Sequence, residues 1–230
     1  MKLAYLLGNK KEGIFLKFVR EKELSAEIIN GSTQMKKKVN KIMKYAQIRN
    51  MDISNGIGIG ASIFTSGCPY RCKKCHNSEL WNFNSGKSFT YETHSQILKL
   101  IEPEYITRFS ILGGEALLPQ NVSDLALLIH DIKVKREDIK VWLWTGTTFE
   151  DLYKLTFLRT KPNDEILDSL GWDNRTLADL AYILNNIDYM IDGRFIQEQK
   201  DLTLKFRGSK NQRWLDMKKS IAAGQAISAE

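Results

Sequence analysis

Ile57-Gly-Ile-Gly-Ala-Ser-Ile-Phe-Thr-Ser-Gly-Cys68-Pro-Tyr-Arg-Cys72-Lys-Lys-Cys75 passes from an apolar run of strand length into a polar loop that holds every cysteine of the 230-residue chain. Ile57 to Phe64 reads as a strand, and Phe109 to Leu112, Val141 to Trp144 and Ile187 to Ile191 repeat the signal downstream. Segments of helical period lie between them. Val122, Leu125, Ile129 and Ile132 share one face, as do Leu177, Leu180, Ala181 and Leu184, with Thr176 and Asp179 spaced like a capping box. This alternation predicts an α/β fold whose parallel strands are joined by right-handed crossovers. Ligand-binding groups in such sheets gather in the loops after the C-terminal strand ends. The cysteine loop, Gly113-Gly-Glu115 and Thr145-Gly146 each follow a predicted strand, so all three are expected at one mouth.

Three cysteines, an odd number with no distant partner and no preceding secretory signal, argue against a disulfide framework and for a reduced, cytosolic metal site. Structural zinc takes four protein ligands, so a zinc reading needs His76, His94 or His130 as the fourth. Buried structural cysteines are the other plain alternative, although three basic residues stand between these ones. Thiolates of Cys68, Cys72 and Cys75 can reach three corners of a cubane iron–sulfur cluster, leaving one iron open for a substrate or cofactor.

Cys68-x3-Cys72-x2-Cys75 resembles the cluster motif of the radical S-adenosylmethionine enzymes. More narrowly, residues 43 to 219 are similar to the family of activating proteins of anaerobic (class III) ribonucleoside-triphosphate reductase. The likeness is carried by Ala46 to Ser54, Trp81-Asn-Phe83, Ile111 to Glu115, Leu143-Trp-Thr-Gly146, Asp192-Gly-Arg-Phe195 and Lys205 to Arg213. The resemblance implies a partial, open (β/α)6 barrel of the radical S-adenosylmethionine type. It also implies a 4Fe-4S cluster on Cys68, Cys72 and Cys75, with S-adenosylmethionine chelating the open iron. In that chemistry a low-potential donor such as flavodoxin reduces the cluster, the sulfonium is cleaved to a 5′-deoxyadenosyl radical, and the radical takes a hydrogen atom from a glycine of the reductase. Such an oxidoreductase needs no acid–base catalytic residue, because the cofactors carry the chemistry.

Gly113 and Gly114 permit close backbone approach to a ligand, and the Glu115 carboxylate suits an ammonium group. By resemblance this triplet meets the amino-acid end of the cofactor, Lys74, Cys75 and His76 lie beside it, and Thr145 with Gly146 touches its ribose or methionine portion. Relatives often carry an aromatic residue where this chain has Lys74, which makes His76 a candidate surface for the adenine. Asn77, Trp81 and Phe83 follow the loop as core or as a shield for the cluster. Arg194 is read equally as a docking charge and as a local ion pair. Arg207, Lys210 and Arg213 form a basic patch suited to an acidic partner surface, or a solvated tail.

With 43% hydrophobic residues and no run long enough to span a bilayer, the chain is expected to be a soluble, cytoplasmic protein with no membrane partner. Its net charge of +7 resides wholly in residues 1–44, which hold 11 Lys and Arg against 4 Glu (11 − 4 = +7), so nucleic acid is not favoured as a partner. Residues 1–42 are expected to be a basic extension, solvated or arising from a misassigned start, and residues 43–230 the activase domain. Two other functions stay open: an activase of a pyruvate formate-lyase type enzyme, which Cys75-His76-Asn77 also suits, and a non-catalytic metal-binding docking module.

Overall fold

The computed structural model describes residues 42–230, so the expectation for 1–42 lies, apart from Ile42, outside the described residues. Among them the strands are β1 (Lys44–Asp52), β2 (Gly60–Thr65), β3 (Lys87–Ser88), β4 (Arg108–Gly113), β5 (Lys140–Trp144), β6 (Tyr189–Asp192) and β7 (Arg213–Asp216). The helices are α1 (Tyr91–Leu100), α2 (Pro119–Lys135), α3 (Phe149–Tyr153), α4 (Glu165–Asp168), α5 (Asn174–Asn186) and α6 (Met217–Ala223). One seven-stranded sheet results, in the order β3-β1-β2-β4-β5-β6-β7.

The α/β class stands, and all four apolar runs are central strands. β2, β4, β5 and β6 pair in parallel, whereas β1, β3 and β7 pair antiparallel, and the sheet is open with β3 and β7 at its edges. Six parallel strands are therefore not what the sheet contains. The connections explain the difference. A parallel pair needs a crossover, which α1, α2 and α3 to α5 supply in turn, while the short link 53–59 can only fold β1 back on β2. Residues 57–59 belong to that link, because the β1–β2 register closes at Asp52 opposite Gly60, so β2 starts later than the apolar run.

β2 is buried at every position, and Val122, Leu125, Ile129 and Ile132 of α2 are wholly buried, each stabilising the fold by roughly 1.5–3 kcal/mol. Of the second stripe, Leu180 and Leu184 are buried and Leu177 and Ala181 partly so. The capping box of α5 sits one step earlier than its expected pair: Asp173 is the N-cap and Thr176 closes the box, while Asp179 accepts from Ser123 Oγ of α2 at 2.5 Å. Asp and Thr both cap well, so spacing alone left the frame ambiguous.

β4 opens with a charge that is entirely buried. Arg108 donates to the Asp52 carbonyl at 2.5 Å, to its carboxylate at 3.3 Å and to Ser110 Oγ at 2.6 Å, which fastens β4 to the end of β1 beneath the strand ends. No helix among the described residues is long and apolar enough to cross a membrane.

Candidate functional site

The C-terminal ends of β2, β4, β5 and β6 deliver four loops to one cleft of about 480 Å³, lined by Cys68, Cys72 and Cys75 together with Gly113, Gly114, Glu115, Thr145 and Arg194. β2 leads directly into the cysteine loop. That loop is anchored at its root, where the Gly67 and Cys68 amides donate to the Leu80 and Trp81 carbonyls at 2.8 and 3.2 Å. The Phe83 ring lies against Gly67 and closes that side of the loop. Arg71 and Lys74 adopt left-handed backbone (φ 48° and 61°), and the Cys75 amide donates to the Cys72 carbonyl at 3.0 Å. Each non-glycine residue held so costs about 1 kcal/mol or more. The tight coiling turns all three cysteines to the same cleft.

Burial pushes the Cys68 thiol up to about 12, with the nearby Glu115 carboxylate adding to it. Burial also raises Cys72, with neighbouring Cys75 adding to it and the Arg194 charge opposing. Thiolates there need a cationic partner. Three soft donors in one cleft, with the Arg194 charge in its wall, fit an iron–sulfur cluster with one open corner. Among the described residues no group of three or more His, Cys, Asp or Glu side chains is arranged around a single metal ion.

The glycines after β4 serve the cysteine loop itself. Gly113 has φ +122°, and a Cβ there would stand 2.3 Å from the Thr65 carbonyl oxygen; one on Gly114 would stand 2.3 Å from that of Gly67. The Gly114 and Glu115 amides donate to these same carbonyls at 2.9 and 2.7 Å. Backbone-to-backbone contact is thus the first reason for two glycines here, and a ligand can use only the faces left over.

Glu115 is 1% exposed. Its Oε1 accepts from the Leu117 amide at 3.0 Å and Thr145 Oγ1 at 2.8 Å, and its Oε2 from the Gly146 amide at 2.8 Å. Burial raises this carboxyl above the usual carboxylate range, with the three bonds opposing. An oxygen of a carboxylate accepts about two bonds, so Oε1 is full and Oε2 has room for one donor from the cleft. Thr145 is spent internally as well, giving to Glu115 and accepting from the Thr147 amide at 3.1 Å.

His76 is exposed and lines the cleft, whereas exposed Lys74 is not among the lining residues, so the chain's departure from an aromatic at this position falls outside the cleft wall. Arg194 forms the local pair: it reaches Asp164 at 2.7 Å and lies 4.3 Å over the Tyr70 ring. Each residue of the basic patch has an acidic neighbour, although Lys210 stays largely exposed. Arg207 pairs with Glu230 at 2.5 Å, Lys210 with Asp201 at 4.0 Å, and Arg213 with both Asp192 and Glu150. Charge sign was readable in the sequence, but the partners, distant along the chain, were not. Tyr70, Phe195, Phe206 and Gln212 also line the cleft; each lies inside a stretch the sequence singled out, but nothing there marked it as a cleft residue.

The profile of the 4Fe-4S single cluster domain family matches residues 54–215. The chain is 34% identical over 172 residues to the anaerobic ribonucleoside-triphosphate reductase-activating protein of Vibrio cholerae, covering 74% of this chain and 96% of that protein. The protein of the same name from Escherichia coli is 35% identical with the same coverage. That of Enterobacteria phage T4 is 30% identical over 173 residues, covering 74% of this chain and 92% of its own.

Proposed function

The chain belongs to the family of anaerobic ribonucleoside-triphosphate reductase-activating proteins, and from that premise we propose that it is a radical S-adenosylmethionine enzyme that installs a glycyl radical on such a reductase. The observation that carries the reading is the convergence of all three cysteines with Gly113, Gly114, Glu115 and Thr145 on one cleft. Cys68, Cys72 and Cys75 hold a 4Fe-4S cluster, and the finer fold assignment, the open barrel of the radical S-adenosylmethionine enzymes, goes with this reading. When bound, the cluster and S-adenosylmethionine supply an electron and a sulfonium whose S–C5′ bond breaks to give methionine and the radical that abstracts hydrogen from glycine.

The chain's own residues bind, orient and exclude water. Oε2 of Glu115 takes the cofactor's ammonium group with its remaining acceptor position. Gly146 and the exposed His76 line the same cleft, where they would meet the nucleoside. Lys74 acts through its backbone, since its left-handed conformation sets Cys75. An open cleft accommodates a peptide segment of the partner, and a cytoplasmic donor such as flavodoxin delivers the electron.

Anaerobic reconstitution tests the assignment. The expected result is about four irons and four sulfides per chain and, with dithionite, formation of 5′-deoxyadenosine. A cluster-loaded protein that leaves S-adenosylmethionine intact would reduce the chain to a binding module.

A further inference from the structure

Three consecutive residues near the C-terminal end of the chain each grip one of three consecutive residues of the turn after β6. Arg213 donates through Nε to Asp192 Oδ1 at 2.9 Å and through a terminal nitrogen to Oδ2 at 2.5 Å. Gln212 Nε2 donates to the Gly193 carbonyl at 3.0 Å, and Asn211 Nδ2 to the Arg194 carbonyl at 2.8 Å. The antiparallel register of β6 and β7 puts Asp192 opposite Arg213, so the match is set by the sheet and continued by side chains past its end.

The gripping segment is itself held rigid. Gln212 Oε1 accepts from the Gly208 and Ser209 amides at 2.8 and 3.2 Å, Asn211 Oδ1 accepts from Ser209 Oγ at 2.8 Å, and Ser209 Oγ accepts from the Ile196 amide at 3.2 Å. Asp192 is wholly buried and also receives the Phe149 amide at 2.8 Å. Gly193 turns the chain with φ +93°, a conformation that a side chain would strain.

The far side of this turn faces the cysteine loop. Arg194 and Phe195 line the same cleft as Cys68, Cys72 and Cys75. Arg194 is aimed by Asp164 on one side and the Tyr70 ring on the other. Tyr70 stands between Cys68 and Cys72 in the sequence.

We propose that Asn211, Gln212 and Arg213 are positioning residues for the cluster, holding the 192–195 turn so that the Arg194 charge stays in the cysteine cleft, against Tyr70 of the cysteine loop, and sets the reduction potential. The inference rests on the reading that Cys72 ligates a 4Fe-4S cluster. A fixed positive charge beside the cluster stabilises the added electron, so slackening the turn moves the potential more negative and makes the electron harder to load.

The test is a redox titration, followed by electron resonance, of the full chain reconstituted anaerobically without its partner. Gln212→Met keeps the side-chain volume and removes all three of its bonds; Asn211→Ala removes the hold on Arg194 and the bond from Ser209, and covers the case in which the first variant does not fold. Lys210→Gln, in the same segment but pointing to Asp201, is the control. Both test variants are expected to keep wild-type iron and to disfavour reduction about tenfold, ~59 mV for a one-electron couple, with shifted g-values, while the control keeps the wild-type potential. Potentials and g-values equal to wild type in both variants, or an equal shift in the control, would overturn the inference and leave the cluster reading intact. Wild-type protein that takes up no cluster would overturn both.

Discussion

The Glu115 carboxylate and the Thr145 hydroxyl, 30 residues apart in sequence, lie 2.8 Å from each other in a wholly buried bond that joins the loop after β4 to the loop after β5. The same carboxylate takes the Gly146 amide, so the cleft's second and third walls move as one piece. A residue that reads as a ligand contact is therefore also a structural tie.

Glu115→Gln tests that double role. The amide keeps one acceptor oxygen but turns an NH2 group toward the Gly146 or Leu117 amide, leaving buried donors unpaired. The cluster-free chain should lose about 1–3 kcal/mol, read as a Tm lower by about 2–4 °C per kcal/mol. A Tm within error of wild type would contradict the tie.

Gly113→Ala and Gly171→Ala separate crowding from backbone preference. Both glycines have positive φ, but a Cβ at Gly171 meets nothing within 4 Å, whereas one at Gly113 strikes the Thr65 backbone. The Gly171 change should cost roughly 1 kcal/mol and leave reconstituted iron unchanged, while the Gly113 change should exceed it and lower the iron bound, because the cysteine loop must shift. Equal urea midpoints for the two variants would refute this.

Acid stability depends on Asp52. Burial alone would raise its carboxyl, but hydrogen bonds from Ser62, Asn55 and the Ser54 and Asn55 amides outweigh it and hold the group at about 2, against 3.8 for the free side chain. A depressed carboxyl contributes stability that is fully present above the unfolded value and is lost as pH falls through the folded one. The contribution, about 2 kcal/mol, should disappear between about pH 4 and pH 2. Urea unfolding across that range should show a shallower acid fall in Asp52→Asn than in wild type. The variant should also be less stable at pH 7, because Arg108 loses its buried counter-charge.

Cys72→Ala should abolish stable cluster uptake and leave the cluster-free fold intact, since the partly exposed thiol packs in no apolar cluster of the core. Iron content and a far-ultraviolet circular dichroism spectrum, taken together, check it. Full iron retention would remove Cys72 from the ligand set.

The parallel centre of the sheet was legible because strands buried on both faces leave apolar runs, unbroken at Val141 to Trp144 and interrupted only by Ser110 at Phe109 to Leu112. β1 and β7 were not. Their residues alternate or are largely polar, and their antiparallel pairing is set by links and register rather than by composition. The cysteines and the Gly113-Gly-Glu115 triplet announced the cleft by spacing and by position after strands. What the sequence concealed was occupancy. Arg207, Lys210 and Arg213 look like free charge until Glu230, Asp201, Asp192 and Glu150 are seen beside them. Thr145 likewise looks like a ligand contact until its hydroxyl is found on Glu115.

The central claim is hydrogen abstraction from a partner glycine, and isotope transfer tests it most directly. Cluster-loaded protein, S-adenosylmethionine and dithionite would be mixed anaerobically with the cognate reductase, unlabelled or grown on α-deuterated glycine. The account predicts a glycyl-radical doublet in the unlabelled partner, collapse of its splitting in the labelled one, and deuterium in the 5′-deoxyadenosine formed. Cleavage of S-adenosylmethionine with neither doublet nor transferred deuterium would contradict it and point to a different substrate.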